Sequence, residues 1–559
     1  MRHFRRPVER PFTKSERSHT TLLFGGLTLR HETLLLAGLE GLGYKVALIP
    51  TPRKADFQAG KEYGNNGQCN PTYFTVGALV NYLKRLRDEQ KMPAEDILNN
   101  YLFITAGACG PCRFGMYEAE YRLALRNSGF DGFRVLLFQQ GGGLSQSDVE
   151  AGLELNLNFF LTLLNGMFMG DLLNEVAYHI RPYELEPGQT NRVFDRCMDL
   201  CQQRLRSKNY DQIHGGALAK LLSKVAPVQG PDEVEKFLDQ LRGDYYTSAF
   251  QQCARLIDEQ IEVDYTRPKP VAKITGEFWA QTTEGDGNFN MFPFLEAEGA
   301  EVLVEPIATW VAYMLSMAKN QTRDQRGLDD GERMPGRWEI RRRLALEAKY
   351  RRKMFTLDLA DRILSREVER LRQALGGTAH KLVNQLELVR MGHPYYNSRS
   401  SGGEGHLEVA KNIYYTNKEL AHMVLSLKPF GCMPSTQSDG AQAAVVAHYP
   451  DMIYLPIETS GEGDINAHSR VQMALGEAKV KCKEEFKRAV AQSGYSLDEI
   501  RAYVAERREL RRPLQKIPHT KGFIGRAANF VLHVGKLMEA DGLRKSGSPG
   551  ASERVEAVA

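Results

Sequence analysis

The sequence predicts an α/β protein built from two lobes, each with a doubly wound parallel sheet, and with helical insertions. Two observations support this fold class. Short apolar runs that end in glycine or proline alternate with helical segments, and a long stretch without such runs separates the two regions that show this alternation. Right-handed crossovers place the loops that follow the strands along one edge of each sheet, where α/β proteins keep their sites.

The first lobe is predicted over residues 20–150 and follows a basic N-terminal tail over residues 1–19. Its apolar runs are TTLLFGGL, YKVALIPTP, NNYLFITAG and FRVLLFQQGGG, and a helical stretch, TVGALVNYLKRLRDEQ, lies between two of them. Each run has the length of one buried strand and ends at a turn residue. We therefore interpret these runs as strands of one parallel sheet.

Residues 151–265 lack β-like runs and predict a helical region. A second α/β lobe over residues 266–495 begins at VAKITGEFWAQ and continues through AEVLVEPIATW, MVLSLKPFGCMPS and MIYLPIETSGEG. It contains a long charged helical insertion, RWEIRRRLALEAKYRRKMF. Residues 496–559 predict a basic helical appendix with a loose tail.

The composition is that of a soluble globular protein, since 42% of the 559 residues are hydrophobic and 25% are charged. The most apolar stretch, LNLNFFLTLLNGMFMGD, is interrupted by three asparagines and Asp171, so it predicts a buried helix and no membrane span. Basic residues gather at the two ends of the chain without a nucleic-acid-binding motif. We expect a cytoplasmic protein that does not bind a membrane. Nucleic acid is not a favoured partner, and a dimer remains open.

Four of the eight cysteines stand in loop sequences rich in glycine and proline. They are Cys69 in NNGQCNPTYF, Cys109 and Cys112 in GACGPCRFG, and Cys432 in KPFGCMPS. Glycine and proline turns let the backbone come close to a bulky ligand, and a helix start after Cys112 favours an anionic centre. The other four cysteines, which lie in helix-like sequence, predict ordinary packed positions.

Three functions can be considered for the loop cysteines: dithiol exchange, zinc binding and iron–sulfur ligation. The motif Cys-Gly-Pro-Cys between a strand and a helix is typical of dithiol exchange, but that function leaves Cys69 and Cys432 without a role. Zinc is usually bound by two close pairs of ligands, whereas this chain offers one pair and two distant cysteines. Ligation of an iron–sulfur cluster from separate loops fits the spacing better, and the other two functions remain open.

Weaker signals lie elsewhere in the predicted strand-end loops. The glycine turns at Gly25 and Gly26 and at 141–143 could hold a phosphate on backbone amides, or could be plain tight turns. Glu404 and His406, just before a helix, could do acid–base work or could cap that helix and line a cleft.

Several segments together resemble the 2-hydroxyacyl-CoA dehydratase superfamily. They are GQCNPTYFTVGALVNYLK, TAGACGPCRFGMYEAEYRLAL, ITGEFWAQ, NFNMFPFLEAEGAEVLVEPIATW and KPFGCMPS. The branch most similar to them is the region that follows the ATPase domains in large CoA-substrate-specific enzyme activases, the proteins related to the (R)-2-hydroxyglutaryl-CoA dehydratase activator. The resemblance covers most of residues 20–490 and implies lobes like those of a dehydratase subunit.

The resemblance also implies a buried iron–sulfur cluster, most simply [4Fe–4S], bound by Cys69, Cys109, Cys112 and Cys432. The chain lacks the phosphate loops of the actin-like ATPase, which implies an ATPase partner supplied by a separate chain. Four cysteines would close a cubane, so we expect electron relay in a reductase or dehydratase system. The alternatives are a dehydratase subunit with an open cluster iron and a CoA thioester substrate, a dithiol oxidoreductase, and a basic-tailed binding module.

Overall fold

Two sheets organise the chain, and helices surround both of them in the computed structural model. The structure describes residues 10–107, 112–139, 143–144, 151–223, 230–328, 334–400, 403–543 and 545. Within these residues the architecture is α/β with two mainly parallel sheets, as the sequence predicts.

The first sheet contains the apolar runs of the N-terminal part of the chain. Its strands are β1 (Thr21–Phe24), β2 (Lys45–Leu48), β3 (Tyr101–Gly107), β4 (Arg134–Gln139) and β5 (Gly143–Leu144). They are arranged in the order β2-β1-β3-β4-β5. The first four strands are parallel, and the short β5 pairs antiparallel with β4.

The second sheet has the same arrangement of its four strands. They are β6 (Val271–Gly276), β7 (Glu301–Leu303), β8 (Met423–Pro429) and β9 (Tyr454–Thr459). They lie in the order β7-β6-β8-β9, and all are parallel. In each sheet the second strand in the chain lies on one side of the first strand and the third lies on the other side. The topological switch point is therefore between β1 and β3 in the first sheet and between β6 and β8 in the second. A crevice opens at such a point, next to the carboxyl ends of the strands.

Helices connect and cover the strands in three groups. The first lobe has α1 (Leu29–Gly41), α2 (Lys54–Tyr63), α3 (Asn70–Asp88), α4 (Ala94–Asn100) and α5 (Tyr117–Asn127). The helical region has α6 (Leu157–Ile180), α7 (Gln189–Ser207), α8 (Ala217–Leu222), α9 (Pro231–Arg242) and α10 (Tyr245–Gln260). The rest of the chain has α11 (Phe278–Thr282), α12 (Met291–Ala297), α13 (Ile307–Asp324), α14 (Ile340–Ala374), α15 (Gln385–Gly392), α16 (Gly405–Asn417), α17 (Met433–His448), α18 (Asp464–Ser493), α19 (Leu497–Ala505) and α20 (Arg526–Ala540).

The apolar stretch that begins at residue 155 forms the buried helix α6. One of its buried polar residues, Asp171, accepts hydrogen bonds from the backbone amides of Ile307 and Ala308, which start α13, at 2.7 and 2.9 Å. The ring of His31 on α1 lies 3.0 Å from the same carboxylate. Among the described residues, no helix combines the length and the apolar character needed to cross a membrane.

The two ends of the described chain pack against the body. Phe12 is fully buried near Leu22 of β1, and α20 places Phe530 and Val531 in the core that also contains α6 and α10. The predicted helical appendix is therefore part of the hydrophobic core. Residues 1–9 of the predicted N-terminal tail and 546–559 of the predicted loose tail lie outside the described residues.

Candidate functional site

Three of the four candidate ligand cysteines stand immediately before helices. Cys69 is the N-cap residue of α3, Cys432 is that of α17, and Cys112 precedes a 3₁₀ turn over Arg113–Met116 that leads into α5. The first amides of a helix have no partner within it and carry a partial positive charge. All three sulfur atoms therefore lie where an anionic centre is favoured.

The three cysteines meet at the junction of the two lobes. The amide of Asn70 donates a hydrogen bond of 3.0 Å to the carbonyl oxygen of Phe430, which joins the loops of Cys69 and Cys432. A Cβ atom on Gly431 would lie 3.4 Å from the Cα of Cys69, and one on Gly403 would lie 3.7 Å from the Cβ of Cys112. Cys109 lies outside the described residues.

The junction lies at the carboxyl edges of both sheets. Cys112 follows β3, and Cys432 follows β8, so each is beside the topological switch point of its sheet. Next to them an aromatic cluster connects the lobes: Phe74 of α3 and Trp279 of α11 have ring centroids 5.5 Å apart. The strand-end rule for α/β proteins thus predicts a ligand at the same place where the cysteines converge.

Among the described residues, the group of three metal-binding side chains whose donor atoms all lie within 4.8 Å of one another contains no cysteine. Cys69, Cys112 and Cys432 are therefore not gathered at the spacing that a single zinc ion needs.

Cys69 and Cys432 are buried and Cys112 is half-buried, and all three thiols stay protonated in the metal-free chain. Burial, with a smaller contribution from Glu404, raises the pKa of Cys112 to about 12. Burial also raises the pKa of Cys69, whose Sγ lies 2.9 Å from the Tyr117 hydroxyl, and that of Cys432. A metal ion bound by these thiols would lower their pKa values, so loading the site would release protons.

Three carboxyl groups from the second lobe face the same junction. Burial, together with the charges of Glu277 and Glu408, raises the pKa of Glu404 to about 8. Burial also raises the pKa of Glu277, which follows β6, to about 7. Glu408 accepts hydrogen bonds from the hydroxyls of Ser435 and Ser438 at 2.7 and 2.5 Å. The site therefore combines neutral thiols with two carboxyl groups, Glu277 and Glu404, that hold protons near neutral pH.

Sequence reasoning singled out Glu404 but missed Glu277. Glu277 could have been predicted from ITGEFWAQ, where it directly follows a predicted strand, because strand-end residues line the crevice of an α/β sheet. A second missed signal is the Cys-x-Pro pattern shared by Cys69 and Cys432. Proline in the first helical turn, as at Pro71 and Pro434, marks the preceding cysteine as a helix cap.

The other sequence candidates have different environments. The backbone amides of Gly26 and Leu27 donate to the Glu32 carboxylate at 2.7 and 3.0 Å, so this turn binds an internal carboxylate in the place proposed for a phosphate. Of the second glycine turn, 141–142 lie outside the described residues and Gly143 begins β5. Burial lowers the pKa of His406 to about 4, so its ring is neutral.

The fold and the site together define an α/β protein of two similar sheets whose junction is lined by cysteine and carboxyl side chains. Comparison of the chain with protein-family models, with curated proteins and with solved structures finds no match. The chemistry of the junction is therefore argued from its own residues.

Replacing Glu404 by glutamine should flatten the pH dependence of stability in the metal-free protein. The pKa of Glu404 is about 8 in the folded chain against an ordinary value of 4.5, so folding favours the protonated form. This contribution to the stability of the fold is complete below the ordinary pKa of 4.5, and it is lost as the pH rises through the folded pKa of about 8. Thermal unfolding of Glu404→Gln across this range should show a smaller decrease in Tm than the wild type.

The control for this experiment is Glu462→Gln, because Glu462 is an exposed glutamate beyond β9. It should keep the wild-type dependence of Tm on pH. If the curves of Tm against pH for Glu404→Gln and the wild type are parallel, the assignment of a protonated Glu404 is wrong.

Proposed function

We propose that the chain is an iron–sulfur protein of the 2-hydroxyacyl-CoA dehydratase and activase type, with a [4Fe–4S] cluster bound at the lobe junction. It accepts low-potential electrons from a separate actin-fold ATPase and relays them for reductive or radical chemistry. One observation carries the proposal: Cys69, Cys112 and Cys432, which are far apart in sequence and come from both lobes, meet at helix N-termini beside one another.

The surroundings of these cysteines suit an anionic cluster. Helix amides that lack intrahelical partners can donate to cluster sulfides, and such hydrogen bonds together with burial tune the reduction potential. The Arg113 guanidinium donates to the carbonyl of Gly67, which connects the loop of Cys112 with the loop of Cys69 and adds a positive charge. Cys109, three residues before Cys112 in the same loop, supplies the fourth ligand in this proposal.

The dithiol alternative is less well supported. A thiol that exchanges disulfides rapidly needs a low pKa and access to its substrate. Burial instead raises the pKa of Cys112 to about 12 in the metal-free chain. A buried neutral thiol is a poor nucleophile but becomes a good ligand once iron displaces its proton.

A second function, dehydration of a 2-hydroxyacyl-CoA at an open cluster iron, is favoured by the carboxyl groups. Glu277 and Glu404 have pKa values of about 7 and about 8, so either can hold a proton at neutral pH beside the cysteines. Such a group could donate that proton to a departing hydroxyl. This function requires that one of the four cysteines is not a ligand, which leaves an iron free for substrate.

The exposed surface beside the cysteines suits a protein partner. Phe430 and Met433 flank Cys432 and are 58% and 41% exposed, and Met116 near Cys112 is 60% exposed. Large apolar side chains at the surface of a monomer favour a protein contact. A partner that covers them would bring its own electron donor close to the buried centre.

The first test is the metal content of the full chain purified without oxygen. We expect a brown protein with broad visible absorption, four iron atoms and four acid-labile sulfides per chain, and an electron-paramagnetic-resonance signal after reduction. A colourless protein that cannot be reconstituted, or one that instead binds zinc through sulfur, would refute the proposal. Rapid disulfide reduction by the metal-free chain would support the dithiol function.

The second test addresses the ATPase. With dithionite as the electron source, an actin-fold ATPase recovered under anaerobic conditions should transfer electrons to the cluster only in the presence of ATP. Phe430→Glu should weaken this reduction while leaving iron content unchanged, whereas Leu543→Glu, at an exposed residue beyond α20, should have no effect. ATP hydrolysis by the isolated chain at an enzymatic rate would contradict the separation into two proteins.

A further inference from the structure

A second group of metal-binding side chains lies in the helical part of the molecule. Glu175 and His179 are one turn apart on α6, and His380 lies between α14 and α15. The Nδ1 atom of His380 is 2.7 Å from Oε1 of Glu175, and Nε2 of His179 is 3.8 Å from the same oxygen. All three donor atoms lie within 4.8 Å of one another, which is the spacing of ligands around one ion.

The ring of His179 lacks the partners that a buried histidine normally has. Both of its nitrogen atoms are buried without a hydrogen-bond partner among the described residues, and its side chain is 4% exposed. Leaving such a polar group unsatisfied destabilises the folded chain. Burial, with the charge of Arg526, lowers the pKa of His179 well below its ordinary value, so the ring is neutral and offers a lone pair.

The charges around these residues can accommodate a cation. Burial alone would raise the pKa of Glu175, but the hydrogen bond and charge of His380 lower it, so Glu175 is ionised. Oε1 of Glu301 is 3.9 Å from Nε2 of His179, and this carboxylate accepts hydrogen bonds from Arg526 and from the Tyr183 hydroxyl. Arg526 is thus neutralised by Glu301, and the charge of Glu175 remains for an ion.

We propose that Glu175, His179 and His380 bind one divalent transition-metal ion of the zinc class. Two imidazoles and one carboxylate form a set that zinc accepts, with a fourth position left for water or for Glu301. The ion takes the place of the proton on Nδ1 of His380, which is released to solvent, and so replaces the hydrogen bond between His380 and Glu175. His380 is 38% exposed, which provides a route of entry from solvent.

The proposed ion would join two parts of the molecule and lie next to a third. It connects α6 with the segment between α14 and α15, and Arg526 beside it begins α20. This site is separate in residues from the cysteine junction and does not depend on the function proposed for that junction. Because the ion binds the folded chain only, it should raise Tm.

The test uses the full chain, stripped with a chelator and then titrated with Zn²⁺ against a chromophoric competitor. We expect one zinc ion whose X-ray absorption spectrum shows nitrogen and oxygen ligands without sulfur, and a higher Tm in zinc than in chelator. His380→Ala should weaken this binding by at least about 100-fold, because loss of a direct ligand costs at least as much as loss of an outer-shell partner.

Two variants serve as controls. His533→Ala removes a partly buried histidine of α20 whose pKa is lowered by burial and by Lys536, and it should leave zinc affinity unchanged. Cys112→Ser should also leave the nitrogen- and oxygen-bound zinc in place. The proposal is wrong if the wild type binds no such zinc, if its zinc has sulfur ligands, or if folded His380→Ala keeps the wild-type affinity.

Discussion

Replacing Cys432 by serine is expected to remove most of the iron from the anaerobically purified protein. Cys432 is the one candidate ligand from the second lobe, while Cys69 and Cys112 come from the first. A cluster bound by all of them would therefore hold the lobes together. Its loss should lower the Tm of the loaded protein towards that of the metal-free protein, which should itself change little.

Iron and sulfide analysis, electron paramagnetic resonance and thermal unfolding measure this effect. Cys482→Ser is the matched control, since Cys482 is also a buried cysteine of the C-terminal half but lies on α18. It should retain the cluster and its signal. If Cys432→Ser keeps full iron, the same signal and the same Tm, a cluster bound by all four cysteines is wrong. A dehydratase with an open cluster iron would then be the better-supported function.

Replacing Gly77 by alanine should destabilise the first lobe more than any surface substitution. Gly77 of α3 packs against α2 so closely that a methyl group would overlap the carbonyl oxygen of Asp56 and lie 2.6 Å from the amide nitrogen of Gly60. These are backbone atoms and cannot rotate away. We expect a loss on the order of 3 kcal/mol in the free energy of unfolding, measured by denaturant titration.

The same substitution should also affect the site, because α3 begins directly after Cys69. Displacing α3 from α2 would move this cysteine and lower the occupancy of the proposed cluster. Gly476→Ala is the control: this glycine is in the middle of α18, and a Cβ there would meet no atom within 4 Å. Alanine at that position should stabilise the helix by up to about 1 kcal/mol. Equal stability of the two variants would contradict the close packing of α2 and α3.

Much of the fold is visible in the sequence because it depends on local patterns. Each strand of both sheets except the short β5 falls within an apolar run or at its end, since burial on both faces of a parallel strand requires continuous apolar residues. The polar residues of the stretch around Asp171 marked α6 as a buried helix, because a membrane span could not satisfy them. The glycines and prolines beside Cys69, Cys112 and Cys432 likewise predicted loops that could approach a ligand.

The sequence alone therefore determined the α/β class, the presence of two sheets and the short list of loop cysteines. Only the tertiary structure decided that Cys69 and Cys432 are neighbours, that Glu277 faces them, and that His380 lies against Glu175 of α6. These contacts join residues far apart in the chain, and they depend on how whole lobes and helices pack. Local periodicity reports which face of an element is buried, but it carries no information about which distant element covers that face.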